Sequence, residues 1–254
     1  MNKQRVFSCM EYRSEISEEL EAWERKITRK SSMVSRSAKR IQNRINGVIP
    51  ERLHSIVTNS IKTMVQGVLV GSTYTVHPPQ KNLSLQVRDQ QAKELIRKYK
   101  RIAATEGAGT GAGGILLGLA DFPLLLSIKM KLLFDLASTY GYDAKKIEER
   151  VFILTIFQLA FSSDDTRRKS YRKISSWDES LSQIQVRKKY EEHDWKTFQL
   201  EYRDYIDLPK LLQMVPGVGA IVGAYVNYHF LDWLGENAIN AYRTRMIKEE
   251  NQTT

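Results

Sequence analysis

Apolar residues recur at helical spacing along most of the chain. The clearest case lies between Pro50 and Gly71, where a single apolar stripe predicts a helix with proline at its start and glycine at its end. The stripe consists of Leu53, Ile56, Val57, Ile61, Met64, Val65, Val68 and Leu69. Comparable patterns predict helices over residues 83–104 and 144–161. Capping serines, early glutamates and later basic residues predict another helix over 12–30. Because the helical period recurs through the chain, we predict an all-α protein.

Two of these helices carry more specific expectations. In the helix over 83–104, the pattern places Val87, Leu95 and Ile102 inward and the lysines and arginines outward. Asp143 precedes the helix over 144–161 and is predicted to be its N-cap. Between the helices, the loop over 71–80 contains a Pro-Pro pair, which cannot continue a helix.

The least charged part of the chain is a glycine-rich segment. Gly107, Gly111, Gly114 and Gly118 are spaced four, three and four residues apart and therefore share one helical face. Glycine in a helix costs up to about 1 kcal/mol relative to alanine, and close approach of another helix is the usual compensation. The break at residues 121–123 and the apolar residues 124–137 predict a Gly-rich helical hairpin over 107–137.

A second glycine pair, Gly219 and Gly223, follows Pro216 in a helix predicted over 217–240. We expect this small-residue face to dock on the hairpin. Asn227 lies one turn further along the same face, where it would be placed to hydrogen-bond Asp121. Two interpretations of Asp121 stay open: an N-cap with Pro123 in the first helical turn, or a buried carboxylate with a dedicated partner.

Charge adds a surface to this picture. The chain has a formal net charge of +10. Eight basic residues and no acidic one lie between Arg25 and Pro50, with apolar residues at helical spacing among them. They are Arg25, Lys26, Arg29, Lys30, Arg36, Lys39, Arg40 and Arg44. This pattern fits a solvated helix face or contact with anionic lipid headgroups. We do not expect nucleic acid as a partner, because acidic residues interrupt the basic, aromatic-rich stretch over 164–204.

No constellation of residues typical of catalysis appears. The chain has one cysteine. None of its four histidines has another histidine or a carboxylate at the spacing typical of metal ligands. The Gly109-x-Gly111-x-x-Gly114 spacing follows a predicted helix rather than a strand, which argues against a dinucleotide site. We therefore expect no metal, no cofactor and no catalytic residue, although a site assembled across helices stays open.

Three motifs identify a family resemblance. They are Gly113-Gly114-x3-Gly118-Leu119-Ala120-Asp121-Phe122-Pro123, Ala137-x-x-Tyr140-Gly141-Tyr142-Asp143, and Pro216-x-x-Gly219-Ala220-x-x-Gly223-x3-Asn227. Together they resemble the EcsC protein family over roughly residues 50–245. That family is named after the third gene of a bacterial operon that encodes the Ecs ABC transporter, which is linked to protein secretion and peptide export. The resemblance implies no biochemical activity. It marks motif positions of structural or functional role at Gly114, Gly118, Asp121, Pro123, Tyr140, Gly141, Asp143, Pro216, Gly219, Gly223 and Asn227.

These inferences define the expected organisation and function. We predict a basic N-terminal helical extension over 1–49, an EcsC-like all-α domain over 50–246 with a polar helical insertion over 164–204, and a tail over 247–254. No signal peptide pattern or sufficiently long apolar run is present, so we expect a cytoplasmic protein at the inner face of the cell membrane. The favoured function is a non-enzymatic accessory protein of an ABC transporter, in contact with anionic membrane lipid. The alternative is a lipid-binding or lipid-modifying protein with a cavity near Asp121.

Overall fold

The computed structural model describes residues 2–29, 51–71, 74–111, 122–177 and 219–253. Within these ranges the chain forms seven helices and no strand, which confirms the all-α prediction for this part of the protein. The helices are α1 (Asn2–Thr28), α2 (Glu51–Val70), α3 (Leu85–Gly111), α4 (Phe122–Tyr140), α5 (Ile147–Ala160), α6 (Asp164–Ser175) and α7 (Gly219–Thr253). The second half of the first hairpin arm, residues 112–121, lies outside the described residues.

Helix boundaries follow the sequence signals in most places. α2 ends at Val70, and Gly71 adopts a left-handed conformation with φ of +75°. Helix α3 runs on to Gly111, so the first hairpin glycines continue it. The prediction for Asp143 was wrong: α5 begins at Ile147, and the Asp143 carboxylate accepts a hydrogen bond from the Lys145 amide at 3.0 Å. Asp143 therefore stabilises the turn before the helix instead of capping it.

Helices α3 and α7 form the main antiparallel pair of the bundle. Asp89 of α3 contacts Arg243 of α7, and Lys100 contacts Asp232, so residue numbers rise along one helix as they fall along the other. Midway, a Cβ on Gly235 would lie 2.4 Å from Ile96 Cδ1. The small residue that lets these two helices approach is thus Gly235. The predicted docking of Gly219 and Gly223 on the hairpin stays a prediction.

The buried face of α3 differs from the one that the pattern predicted. Leu95 packs partly buried against the core as predicted, but Val87 and Ile102 are 39% and 37% exposed, and the fully buried apolar residues lie on a different face. Those residues are Ala92, Ile96, Tyr99 and Ala103. The expectation failed because α4 and α7 both pack on α3, and the charged residues Arg88, Asp89 and Lys100 are buried between them.

Helices α4 and α5 complete the core. Phe134 of α4 and Phe152 and Phe157 of α5 are buried. Helix α5 runs antiparallel to α7, since Glu149 pairs with Arg245 and the Trp233 indole donates to the Ala160 carbonyl at 2.8 Å. Both helices have apolar residues around most of their circumference, which is typical of helices enclosed by neighbours.

Helix α1 lies antiparallel along α7 and beside α6. Ile16, Trp23 and Ile27 are buried, and the Trp23 indole donates to Asn237 Oδ1 at 3.0 Å. Trp23 also makes an edge-on contact with Tyr171 of α6, with 5.4 Å between ring centroids. Helix α1 is therefore held to the bundle by apolar burial as well as by polar contacts.

Candidate functional site

A buried carboxylate, Asp89, lies where α1, α3, α4 and α7 meet. Its Oδ2 accepts hydrogen bonds from the Tyr12 hydroxyl at 2.6 Å and from Arg243 Nε at 3.0 Å. Its Oδ1 accepts from the Tyr140 hydroxyl at 2.5 Å. Three donors from three different helices therefore converge on one carboxylate that is almost inaccessible to water.

Arg243 extends this cluster towards the surface. Its Nη1 donates to Glu19 Oε2 of α1 at 2.5 Å and to Asn240 Oδ1 at 3.2 Å. Burial lowers the pKa of Arg243, but the charges of Asp89 and Glu19 outweigh burial and raise it above its usual value. The guanidinium is thus permanently charged and is neutralised on both sides.

A second buried acid, Glu149, is arranged in a similar way on α5. It accepts from the Tyr242 hydroxyl at 2.6 Å and from Arg245 Nη1 at 2.6 Å. The Arg245 guanidinium also lies over the Tyr142 ring, 3.8 Å from its centroid. Tyr242 stacks on Tyr140 at 5.1 Å between centroids, so stacked tyrosines join the two acid clusters.

The protonation of the buried tyrosines determines what these clusters can do chemically. Burial, together with Asp89, raises the pKa of Tyr140 well above its usual value, and burial with Glu149 does the same for Tyr242. Both hydroxyls therefore keep their protons at neutral pH and act as hydrogen-bond donors. Each acid is engaged by an arginine and at least one tyrosine, which is the arrangement of a structural network.

The motif residues Tyr140 and Gly141 mark the end of α4, next to a buried arginine. Arg88 donates to the carbonyls of Gln80, Leu83 and Thr139 at 2.7–3.1 Å. Gly141 has φ of +92°, and a Cβ there would lie 2.9 Å from Arg88 Nη1 and 3.0 Å from the Gln80 carbonyl. Glycine is therefore required both by conformation and by space.

The other motif positions are scattered or lie outside the described part of the chain. Pro123 is exposed in the first turn of α4, as the pattern predicts. Gly219, Gly223 and Asn227 belong to the first turns of α7, but the Asn227 side chain is not among those described. Outside the described residues lie Gly114, Gly118, Asp121 and Pro216. The suggested Asp121–Asn227 pair and a cavity near Asp121 thus stay predictions.

The structure brings together two basic segments that are far apart in sequence. Arg167 of α6 donates through Nε to the Ile27 carbonyl at 3.1 Å and through Nη2 to the Arg29 carbonyl at 3.5 Å, which fixes the end of α1 against α6. Exposed basic residues occur in the last turn of α1, just after it and along α6, and we call this set the basic surface. They are Arg25, Lys26, Arg29, Lys169, Arg172 and Lys173. The remaining predicted surface residues, Lys30, Arg36, Lys39, Arg40 and Arg44, lie outside the described residues.

Two properties of the described residues concern metal ions and membranes. These residues contain no group of three or more histidine, cysteine, aspartate or glutamate side chains placed to hold a metal ion. No helix among them is both long and apolar enough to span a membrane.

The buried acids were not predicted from the sequence. Asp89 follows the same helical spacing as Ala92, Ile96 and Tyr99, so a charged residue on an otherwise apolar stripe was the available signal. Glu149 gave a weaker signal, because a glutamate in the first turn of a helix is ordinarily explained by the helix dipole.

Known proteins are similar to this chain over most of its length. The chain is 48% identical over 228 residues to "Protein EcsC" of Bacillus subtilis (strain 168), covering 89% of this chain and 93% of that protein. It is 32% identical over 170 residues to "Uncharacterized protein YdbA" of the same organism, covering 67% of this chain and 62% of that protein. No solved structure matches the chain. The model of the EcsC protein family matches residues 14–247, and the chain belongs to that family.

Proposed function

We propose that this protein is a non-enzymatic accessory protein that binds the cytoplasmic face of the cell membrane through its basic surface and associates with an ABC transporter. One observation carries the membrane part. Arg167 fixes the start of the basic N-terminal stretch, at Ile27 and Arg29, beside the exposed lysines and arginines of α6. Two positively charged segments therefore lie side by side, and we expect them to bind the same anionic surface.

The charges of this surface are only partly neutralised. Lys26 pairs with Glu236 at 2.8 Å, and Arg25 lies 3.5 Å from Glu21, but both pairs are largely exposed and therefore weak. Arg29 and Lys169 are exposed, and the sequence after Arg29 adds five more basic residues before Pro50 and no acidic one. Each basic residue near an anionic bilayer contributes about 1 kcal/mol to binding.

The non-enzymatic part is supported by how the buried acids are used. Asp89 binds an arginine and two tyrosine hydroxyls, and Glu149 binds an arginine and one tyrosine hydroxyl. Both acids therefore stabilise the fold. The transporter part rests on family membership, because the EcsC family takes its name from an operon that encodes an ABC transporter.

Vesicle sedimentation tests the membrane part. The protein is expected to pellet with phosphatidylglycerol-containing vesicles at low ionic strength and to be released by salt, since the Debye length falls from about 10 Å at 0.1 M to about 3 Å at 1 M. The double variant Arg29→Glu/Lys169→Glu removes one exposed basic residue just after α1 and one from α6, and it is expected to weaken partitioning by about 2 kcal/mol or more, roughly 30-fold.

The matched control is Lys145→Glu/Lys146→Glu, which makes the same change in net charge at two exposed lysines before α5. It is expected to leave partitioning within about three-fold of the wild-type protein. Equal losses in both variants would show attraction by net charge alone, and no pelleting of the wild-type protein would refute membrane binding. Co-purification with the assembled transporter in detergent, or its failure, decides the transporter part.

A further inference from the structure

Helix α3 carries a row of basic residues that lies outside the basic surface. Lys93, Arg97 and Arg101 recur every four residues, share one side of the helix and are all exposed. We call these three residues the α3 row. Within the described residues, one ion pair involves the row: Arg97 lies 4.0 Å from Glu94, and both side chains are largely exposed, so the pair is weak. The row therefore presents positive charge to its surroundings.

The contacts of α3 show which way the α3 row faces. The Tyr99 hydroxyl donates to Asp135 at 2.6 Å, so Tyr99 marks the side of α3 that faces α4. Arg97 is two residues away and thus lies about 200° from Tyr99 around the helix. Lys100, which contacts Asp232 of α7, lies between these two sides. The α3 row is therefore turned away from α4 and lies next to the side of α3 that packs on α7.

An exposed stripe of α7 lies beside the α3 row. Asp232 and Glu236 are one turn apart on this stripe, and their side chains are 55% and 41% exposed. Each carboxylate is paired with a lysine from a different helix: Asp232 with Lys100 of α3, and Glu236 with Lys26 of α1. The stripe therefore does not place an unpaired negative charge between the α3 row and the basic end of α1.

Helices α3 and α1 border this stripe from opposite flanks. The Lys100 ammonium lies 3.8 Å from the centroid of the Tyr228 ring, and the Lys26 ammonium lies 4.4 Å from the centroid of the Trp233 ring. Tyr228 and Trp233 are five residues apart and thus lie about 140° apart around α7, with the stripe between them. The α3 row and the end of α1 therefore belong to the same side of the bundle.

The two basic segments also lie at the same level along the bundle. Arg243 of α7 binds both Asp89 of α3 and Glu19 of α1, so these two acids are level with each other. Both helices run antiparallel to α7 and hence parallel to each other. Arg97, eight residues after Asp89, is therefore level with the last turn of α1, which begins the basic N-terminal stretch.

The positive charge is confined to one half of this side of the bundle. Glu15, Glu18 and Glu21 are exposed on the earlier part of α1, whereas its last turn contains Arg25 and Lys26. The half that is level with this last turn carries basic residues from three helices, α6, α1 and α3. Charge of one sign distributed over several neighbouring helices is complementary to a plane of anionic headgroups.

We infer that the α3 row and the basic surface together meet an anionic bilayer. Helices α6, α1 and α3 then lie side by side along the membrane, and α4 and α5 are turned away from it. Helix α5 lies on the far side because Glu149 pairs with Arg245, nine residues or about 180° from Glu236 around α7. The inference rests on the proposed membrane function and adds to it a third helix and the side of the bundle that docks.

Lysine acetylation of the wild-type, full-length protein tests which side docks. The vesicles contain phosphatidylglycerol and phosphatidylcholine, which have no primary amine, and mass spectrometry follows each lysine. Lys93 of the α3 row and Lys169 of α6 are expected to lose reactivity when vesicles are added. Lys62 of α2, which packs on α4 and α5, and Lys145 before α5 are exposed references and are expected to react as in free protein.

Vesicle sedimentation of charge variants tests whether the α3 row contributes to binding. Lys93→Glu/Arg97→Glu is expected to weaken partitioning roughly 30-fold. The control Lys145→Glu/Lys146→Glu makes the same change in net charge on the far side and is expected to stay within about three-fold of the wild-type protein. Circular dichroism of both variants confirms that the helices are retained.

The outcomes separate this inference from the proposed function. Protection of Lys169 without protection of Lys93, and a Lys93→Glu/Arg97→Glu variant that binds like the control, would overturn the contact of α3 and leave membrane binding intact. Equal protection of Lys62, Lys145 and Lys93 would overturn the docking side. Absence of pelleting by the wild-type protein would remove the proposed membrane function itself, and this inference with it.

Discussion

Replacement of Asp89 by alanine tests whether the buried network holds the bundle together. The carboxylate accepts three hydrogen bonds, from Tyr12, Tyr140 and Arg243, and its side chain is 2% exposed against 3% for Arg243. Its removal leaves the guanidinium with Glu19, which is 48% exposed, as its remaining acidic partner within the described residues.

The magnitude follows from the cost of an uncompensated buried charge. Breaking a buried ion pair by removing one partner typically costs 3–5 kcal/mol, and here two tyrosine hydroxyls lose their acceptor as well. We therefore expect Asp89→Ala to lower the free energy of unfolding by about 4 kcal/mol or more. Because small domains are stable by only about 5–15 kcal/mol, this loss is large enough to lower the urea midpoint strongly.

Urea unfolding at neutral pH, followed by circular dichroism, measures the effect. Glu94→Ala is the matched control, since Glu94 lies on the same helix in an exposed contact 4.0 Å from Arg97 and is expected to cost less than about 1 kcal/mol. Adding Arg243→Met to Asp89→Ala should recover part of the loss, because the double variant leaves no unpaired guanidinium. Strictly additive losses, or a loss similar to that of Glu94→Ala, would refute the reasoning.

Two further predictions concern the tyrosines and the glycine at the end of α4. Folding raises the pKa of Tyr140 and Tyr242 above the unfolded value of about 10, so their contribution to stability is complete below pH 10 and is lost as pH rises further. The urea midpoint should therefore fall above pH 10, and it should fall less steeply with pH in Tyr140→Phe. An unchanged dependence of the midpoint on pH in that variant would contradict this. In thermal unfolding, Gly141→Ala should destabilise the protein by at least about 1 kcal/mol more than Gly71→Ala. A Cβ at position 141 meets the Gln80 carbonyl as well as an arginine, whereas the groups near Gly71 belong to one flexible arginine side chain. Equal destabilisation by the two variants would refute the steric argument.

Local sequence signals were sufficient for the fold class and for most helix ends. The apolar stripe over 53–69 predicted α2, and Gly71 ended it because glycine adopts a left-handed conformation without strain. Pro123 at the start of α4 is also a local signal, because proline restricts the backbone only within a few residues. The motifs around Tyr140 and Gly141, together with the other two, also predicted the family that the chain matches.

The tertiary structure decided which residues are buried and what they contact. Val87 and Ile102 are apolar but partly exposed, while Arg88 and Asp89 are buried, because neighbouring helices and not the pattern within α3 determine its enclosed face. The Asp89–Arg243 pair joins residues 154 positions apart, so no local spacing could predict it.

The sequence likewise determined only the charges of the basic surface and not its assembly. The basic residues of positions 25–29 and of α6 can be read from the chain, but only the contact of Arg167 with the end of α1 shows that the two segments lie together. Charge and periodicity are properties of a segment, and the sequence determined them. Proximity between segments is a property of helix packing, and only the tertiary structure decided that the end of α1 lies against α6.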